Sequence, residues 1–333
     1  MSSPKFSVYI PVKNRPFLLN ETLKAIEEQT FSDFECVICD DGSTDNTLEV
    51  IKDFCNKDKR FRYITNEVSL GDPRSSNFLL DSLNGKYAAR MDSDDLPTTT
   101  WLEKAFSLAP DFFSNGGIAF GCQAEIFGEN IDVYFDKQKE IDANRWSCWS
   151  LFNYEINHSG LIFDRRLQIE NKIYYKDYIM NNDWDFITRL SYFGKVSNLK
   201  SVEVRVRRHS NNVSASYNVK EEKSSLSVML RKELIQNKLG FTPSDKELAL
   251  HCTAHHAPYW KFEDQKFVWD NKENYLLLLK QWLDKLIEKN KDKKYFDETV
   301  LNQVLYNEIY TTAKNNFEKM KKPDFFKMIW TGE

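Results

Sequence analysis

Asp92, Asp94 and Asp95 place three carboxylates within four residues, in the run Tyr87-Ala88-Ala89-Arg90-Met91-Asp92-Ser93-Asp94-Asp95. Carboxylates that close raise one another's pKa and repel unless a cation sits among them. Residues 86–91 read as a short buried strand. Along an extended strand side chains alternate, so Asp92 and Asp94 are expected on one face, about 6–7 Å apart. Two hard oxygen ligands so placed suit one divalent ion that keeps its other positions for water and phosphate oxygens. The other reading is a solvated acidic loop with a helix cap, because Leu96-Pro97-Thr98 follows and aspartate is a favoured cap.

The elements that must position these groups follow from the hydrophobic pattern. Residues 5–12, 34–39 and 61–64 are β-rich, and the strand at 86–91 follows them. Between them lie helical spacings: Leu19, Leu23 and Ile26 after Pro16, then Leu48, Ile51 and Cys55, then a segment at 74–83 closed by Asn84-Gly85. Strand–helix alternation at this pace implies βαβ crossovers and an α/β fold, a mostly parallel sheet with helices on both faces. Ligands of such sheets bind beyond the carboxyl ends of the strands. Asn14-Arg15, Asp40-Asp41 and the acidic run at 92–95 all follow a strand, so they are expected to gather on one edge.

The pattern continues with a helix at 101–108, strands at 118–127, 160–163 and 196–206, and a helix opened by Asn181-Asn182-Asp183-Trp184. From about residue 219 strand signals vanish and long amphipathic segments take over, so we divide the chain into a domain at 1–218 and an all-helical region at 219–333. With 333 residues, 41% apolar and 29% charged, the chain has the composition of an ordinary soluble protein. A formal charge of −4 lacks the basic surplus that nucleic-acid binding needs. The N-terminus lacks the apolar core of a signal peptide, and no apolar run approaches the ~20 residues that span a bilayer. Cys36 and Cys39 sit in a strand at an odd separation, on opposite faces, which argues against a disulfide or shared zinc. We read them as core residues in a reducing cytoplasm.

Taken together, Phe6-Ser7-Val8-Tyr9-Ile10-Pro11-Val12-Lys13-Asn14-Arg15, Asp40-Asp41-Gly42-Ser43-Thr44-Asp45-Asn46-Thr47 and Arg90-Met91-Asp92-Ser93-Asp94-Asp95 resemble the family 2 glycosyltransferases, which have the GT-A nucleotide-sugar fold. The resemblance covers roughly residues 5–215 and leaves the helical region outside. It implies an inverting transferase that uses Mn2+ or Mg2+ to move a sugar from a nucleotide-sugar, UDP-linked by preference, to a hydroxyl of a glycan or lipid-linked glycan in surface polysaccharide synthesis. By that resemblance Asp41, with Asp40 beside it, accepts a hydrogen bond from the uracil ring. A carboxylate suits this, since it only accepts and uracil offers one N–H. Pro11, Asn14 and Arg15 would cradle the nucleoside. Asp92-Ser93-Asp94 matches the metal motif, Asp95 holds the metal position of some relatives, and the three are not ranked.

Gly71 and Arg74-Ser75-Ser76-Asn77 resemble the family's glycine-then-Ala-Arg-Asn segment near the donor. Ser76 stands where the basic residue is expected, and Arg74, a helical turn from Asn77, is its substitute or a plain surface charge. Asn182-Asp183-Trp184-Asp185 resembles the acidic-aromatic segment that opens a helix and carries the catalytic base. Asp183 is the candidate, with Asp185 in reserve and a simple helix cap as the other reading. In the 208–214 loop, His209 is a candidate third metal ligand, and Arg207 or Arg208 would meet the diphosphate. His158 falls on the acceptor side.

Two readings of other classes compete: a catalytically idle nucleotide-sugar-binding or scaffolding subunit, and a nucleotidyltransferase. The second would carry a glycine- and basic-rich phosphate loop after the first strand, which Pro11-Val12-Lys13-Asn14 is not. His251 and His255 have the spacing of a zinc-binding helix face but lack a suitably placed glutamate. Residues 319–330 mix basic and aromatic side chains, as an interfacial membrane anchor or an ordinary packed helix end would. The expected setting is therefore the cytoplasm, with peripheral membrane contact or homo-oligomerisation through the helical region.

Overall fold

A computed structural model describes residues 3–129, 131–136, 142–153, 156–178, 181–209, 220–254, 267–268 and 270–320. The chain forms two compact units, one of Met1–Ala143 with Glu155–Ala215, the other of Asn144–Tyr154 with Ser216–Glu333.

The first unit is built on β1 (Phe6–Val12), α1 (Pro16–Glu27), β2 (Phe34–Asp40), α2 (Thr47–Lys57), β3 (Phe61–Thr65), α3 (Asp72–Ser82) and β4 (Tyr87–Arg90). Pro16 opens α1, and Leu19, Leu23 and Ile26 are its buried face. Every residue of β1 is buried, as expected of a strand covered on both faces. Beyond β4 come β5 (Leu96–Pro97), α4 (Trp101–Ser114), β6 (Gly117–Gly128), β7 (Tyr134–Asp136), β8 (Ile162–Asp164), α6 (Arg165–Glu170), α7 (Asn182–Leu190) and β9 (Lys195–Arg208), with α5 (Ala143–Trp149) between β7 and β8.

The nine strands form one sheet in the order β3-β2-β1-β4-β8-β6-β9-β5, with β7 beside β6. From β3 to β4 it is parallel, as the alternation predicts. Further along it is mixed: β8 runs antiparallel to both β4 and β6, while β6 and β9 are parallel. Cys36 and Cys39 are fully buried free thiols on β2, with burial raising Cys39 to about 12.

One expectation is corrected. Strand β4 ends at Arg90, before the acidic run, and residues 93–94 form a turn. The alternation argument for Asp92 and Asp94 does not apply there, because alternation holds only along extended chain.

The second unit consists of α8 (Lys220–Leu239), α9 (Asp245–Thr253), a 3-10 turn (Lys272–Asn274), α10 (Tyr275–Lys293), α11 (Glu298–Asn302), a π-helical stretch (Gln303–Tyr310) and α12 (Thr311–Met320). Ser244 and Glu247 form a capping box that starts α9. The segment Asn144–Tyr154 belongs here because three basic side chains take hold of consecutive residues after α5. Lys238 donates to Ser150 Oγ at 3.1 Å, His251 Nε2 lies 2.7 Å from the Leu151 carbonyl, and Arg231 donates to the Phe152 carbonyl at 2.8 and 3.1 Å.

His251 is fully buried, stacks on Phe152 and accepts from Trp282 Nε1 through Nδ1. Burial pushes it down to about 3, and both ring nitrogens are occupied, so it is a satisfied core histidine. His255 and residues 210–219 and 321–333 lie outside the described residues. Among the described residues no helix is long and apolar enough to cross a membrane.

Lys238 is fully buried among Trp146, Tyr295 and Phe296. Burial pushes its ammonium down to about 7. The unfolded chain holds a proton on this group up to about pH 10, so folding releases it above pH 7 and stability falls as pH drops from 10 toward 7. Replacing Lys238 with methionine is expected to stabilise the protein at pH 7 by on the order of 3 kcal/mol and to flatten that pH dependence. Urea denaturation at pH 7 and pH 9.5 checks it; an unstabilised variant with the same slope refutes it.

Candidate functional site

The carboxyl ends of the parallel strands carry two clusters. The first surrounds the acidic turn. Asp94 is 5% exposed, and its Oδ2 accepts from Arg15 Nη1 at 2.6 Å and lies 2.9 Å from His209 Nε2. Arg15 comes from the β1–α1 turn and His209 from the end of β9, so three distant stretches meet at one carboxylate. Asp95 lies deeper: its Oδ1 accepts from the Arg207 backbone N–H at 2.8 Å. Burial, reinforced by the neighbouring Asp92 and Asp94 charges, pushes its carboxyl well above the usual range. Ser93 is buried within the turn.

Asp92 faces elsewhere. Its Oδ1 accepts from Arg90 Nε at 2.9 Å, and its backbone N–H donates to Ser159 Oγ. The Arg90 side chain is 2% exposed and also reaches Asp72 and Ser76. Burial alone would lower its pKa, but Asp72 and Asp92 carry it well upward, so it is a permanent cation. His158 completes this side, with Nε2 2.8 Å from the Tyr175 hydroxyl, which shares a hydrogen bond with Tyr9 at 2.7 Å. Burial and Arg90 lower the His158 pKa against the opposing pull of Asp92 and Asp183. The Asp183 carboxylate on α7 therefore acts on the same imidazole as the acidic turn.

The second cluster is the turn after β2. Asn14, in the left-handed region at φ 52°, donates its backbone N–H to Ser43 Oγ and accepts from the Thr44 N–H through Oδ1. Pro11 is buried at the end of β1, and the Asp41 N–H donates to the Val12 carbonyl at 2.8 Å. Asp40 Oδ1 accepts from the Ser43 N–H at 3.2 Å. Asp41 is the organising residue: its carboxylate accepts from Asn66, Ser69, Ser75 and the Leu70 and Gly71 N–H groups at 2.7–2.9 Å. Burial opposes ionisation, but these donors outweigh it and hold the carboxyl down at about 2. Gly42 lets the 66–71 segment come this close: its φ is +67°, and a Cβ there would stand 2.9 Å from the Ser69 nitrogen.

The carboxylate read as the uracil acceptor is thus already engaged by the protein's own donors. A carboxylate offers about four lone-pair sites. Those of Asp41 serve the protein's own donors, so it holds the wall of the site. Gly71, at φ +86°, caps α3 as part of that wall.

The remaining expectations divide. Asp183 lies in the first turn of α7, with Oδ1 accepting from the Trp184 N–H at 2.7 Å. Asp185 is 1% exposed and paired with Lys176 and Arg189. Arg74 is exposed and paired with Asp177. Arg208 is exposed at the end of β9, and it is Arg207 that braces the acidic turn, donating to the Asp94 carbonyl at 3.0 Å. Sequence reasoning passed over Arg90, Asp72 and Tyr175. The available signal was an arginine inside the otherwise small and apolar stretch 87–91, where an unpaired charge would not be buried.

Among the described residues no three carboxylate, imidazole or thiol groups are gathered into a metal cage. Asp94 and His209 are nonetheless two ligand groups in contact. An ion held by one or two protein groups, water and phosphate oxygens needs no cage, so this pair fits Mn2+ or Mg2+ bound together with a diphosphate.

Residues 7–154 match the family model described as Glycosyl transferase family 2. An uncharacterized glycosyltransferase of Haemophilus influenzae is 28% identical over 256 residues, 71% of this chain and 76% of that protein. The GalNAc(5)-diNAcBac-PP-undecaprenol beta-1,3-glucosyltransferase of Campylobacter jejuni is 36% identical over 93 residues, 28% of this chain and 30% of that enzyme. Of solved structures, S. aureus TarS 1-349 in complex with UDP-GlcNAc superposes with a TM-score of 0.57 at 17% identity, over 95% of this chain and 91% of that one. The mannosyltransferase PcManGT of Pyrobaculum calidifontis in complex with GDP-Man and Mn2+ gives 0.57 at 17%, over 97% and 89%. At such identities the likeness is one of fold, and the fold is of the GT-A type.

Proposed function

We propose, from the premise that the chain is a family 2 glycosyltransferase through residues 7–154, that it moves a sugar from a nucleoside diphosphate donor to an acceptor hydroxyl by single displacement with inversion. The contact of Asp94 with His209 at the carboxyl edge of the sheet carries this reading. Those two side chains would hold the divalent ion, with Arg15 close by as a second positive charge. Such an ion neutralises the charge that develops on a leaving diphosphate. Pro11, Asn14 and Arg15, the Asp40-Asp41 turn and the 66–71 wall behind it would enclose the nucleoside. Asp183 would take the proton from the acceptor hydroxyl as its oxygen bonds to the anomeric carbon and the bond to phosphate breaks.

UDP is the favoured nucleotide, supported by the UDP-GlcNAc complex of the TarS neighbour, while the GDP-Man complex of the second keeps guanosine donors in view. A glycan or lipid-linked glycan acceptor, in surface polysaccharide synthesis, is supported by the polyprenyl-diphosphate substrate in the name of the C. jejuni relative. The catalytic unit would then extend over residues 1–218 apart from 144–154, which group with the helical unit, and the helical region would serve acceptor, oligomer or membrane contact.

Calorimetry with UDP, with and without Mn2+, tests the donor site. Binding is expected to require Mn2+ in the wild type and to weaken at least about tenfold in Asp94→Ala. Absence of UDP binding under both conditions refutes the uridine assignment and moves the search to GDP. Donor binding with no turnover of any nucleotide-sugar would establish the idle-subunit reading instead.

A further inference from the structure

We propose that Arg90 is a positioning residue that clamps Asp92 onto the first turn of α3 and so withholds it from the cation, leaving Asp94 and His209 as the protein's ligands. The inference deepens the reading above and rests on it for the presence of the ion.

Arg90 is the last residue of β4 and pairs in register with Tyr9, whose ring lies 5.5 Å from the guanidinium carbon. Its N–H groups are committed in three directions. Nε donates to Asp92 Oδ1 at 2.9 Å, and Nη2 approaches the same oxygen at 2.9 Å and Asp72 Oδ2 at 2.9 Å. Nη1 donates to Ser76 Oγ at 2.6 Å. Ser76 in turn donates to Asp72 Oδ1 at 2.7 Å, which fixes the α3 end of the clamp. The Arg90 side chain is 2% exposed, while those of Asp72 and Asp92 are 47% and 34% exposed. A buried cation thus neutralises two carboxylates that face outward.

Only a planar fork of N–H groups reaches two carboxylates and a hydroxyl at once; a lysine ammonium cannot. Without the clamp, Asp92 would be an uncommitted carboxylate two residues from Asp94 and would join it on any divalent ion. The coordination would then be set by the protein's acids rather than by the donor's phosphates. Arg90 prevents this by satisfying Asp92 internally.

Two variants of the full-length protein test the clamp: Arg90→Lys, and Arg90→Met combined with Asp72→Asn. The second removes one charge of each sign, so that the loss of the buried cation is offset if the lysine variant fails to fold. Mn2+ is titrated into each protein without nucleotide. Release of Asp92 is expected to tighten Mn2+ binding on the order of tenfold through the added carboxylate. The gain should vanish when Asp92→Asn is added. Turnover of a nucleotide-sugar should fall about a hundredfold in the folded variants.

A role limited to holding the fold would weaken Mn2+ binding and turnover together. Mn2+ binding that is unchanged, weaker, or immeasurable in the folded variants overturns the proposal. The titration uses neither donor nor acceptor. A wild type that turns over no nucleotide-sugar therefore refutes the function proposed above, while the clamp is judged on Mn2+ binding alone.

Discussion

Replacing Asp183 with asparagine is expected to lower sugar transfer by about a thousandfold while donor binding and thermal stability stay near those of the wild type. The side chain lies in the first turn of α7 and accepts a hydrogen bond from the Trp184 N–H through Oδ1. Asparagine keeps the shape and can keep that acceptor, but it cannot take a proton at neutral pH. The loss should therefore fall on kcat and leave the donor's KM nearly unchanged, since Asp183 is assigned to the acceptor hydroxyl and not to the nucleotide. Asp185 provides the contrast. Its carboxylate is buried and paired with Lys176 and Arg189, so Asp185→Asn is a change in a structural ion pair and should show as lost stability. Steady-state rates with the donor at saturation, set beside melting curves, separate the two cases. Full activity in Asp183→Asn would remove this residue as the base.

How much of the site was legible depends on the range over which each feature is determined. The β1 to β4 half of the sheet follows from local alternation of strand and helix, and with it the rule that the turns after β1 and β2 and the acidic run share one edge. The family resemblance named Asp94 and His209 as candidate metal ligands, although nothing in the sequence says that residues so far apart come within 2.9 Å. The failures are non-local. The orientation of Asp92 was argued from strand alternation, but β4 stops at Arg90 and the carboxylate is captured by that arginine. A spacing rule cannot see a side chain that reaches two ways, to Asp92 and to α3.

The same limit hid the place of residues 144–154. In sequence they lie between strands of the sheet. They group with the helical unit because Lys238, His251 and Arg231, spread over two helices, each reach one of three consecutive residues. Three basic residues in amphipathic helices look like solvated charges until the hydroxyl and the two carbonyls they meet are known. The antiparallel entry of β8 is of this kind too: a three-residue strand carries too little pattern to state its direction.

The carboxylate of Asp41 should prove the least replaceable group of the nucleotide side. Five donors from the 66–75 stretch converge on it, and the folded chain keeps it ionised down to about pH 2. In the unfolded chain an aspartate takes up its proton near pH 4. The stability Asp41 contributes is thus complete above about pH 4 and is lost as the pH falls from there toward 2. Asp41→Asn turns an NH2 group toward other donors, so at least one N–H or O–H is left unpaired in a buried place. A cost of about 3 kcal/mol is expected, above that of an ordinary hydrogen bond because the lost acceptor was charged. The 66–71 segment, held down mainly by this carboxylate, should then detach and take nucleotide affinity with it. Hydrogen exchange at the Leu70 and Gly71 amides is the direct measurement: rapid exchange in the variant, with strand β1 still protected, is the expected result. If those amides stay protected in a variant that has lost nucleotide binding, Asp41 contacts the nucleotide itself, and the wall would owe its order to Gly42 and the Asn66 contacts instead.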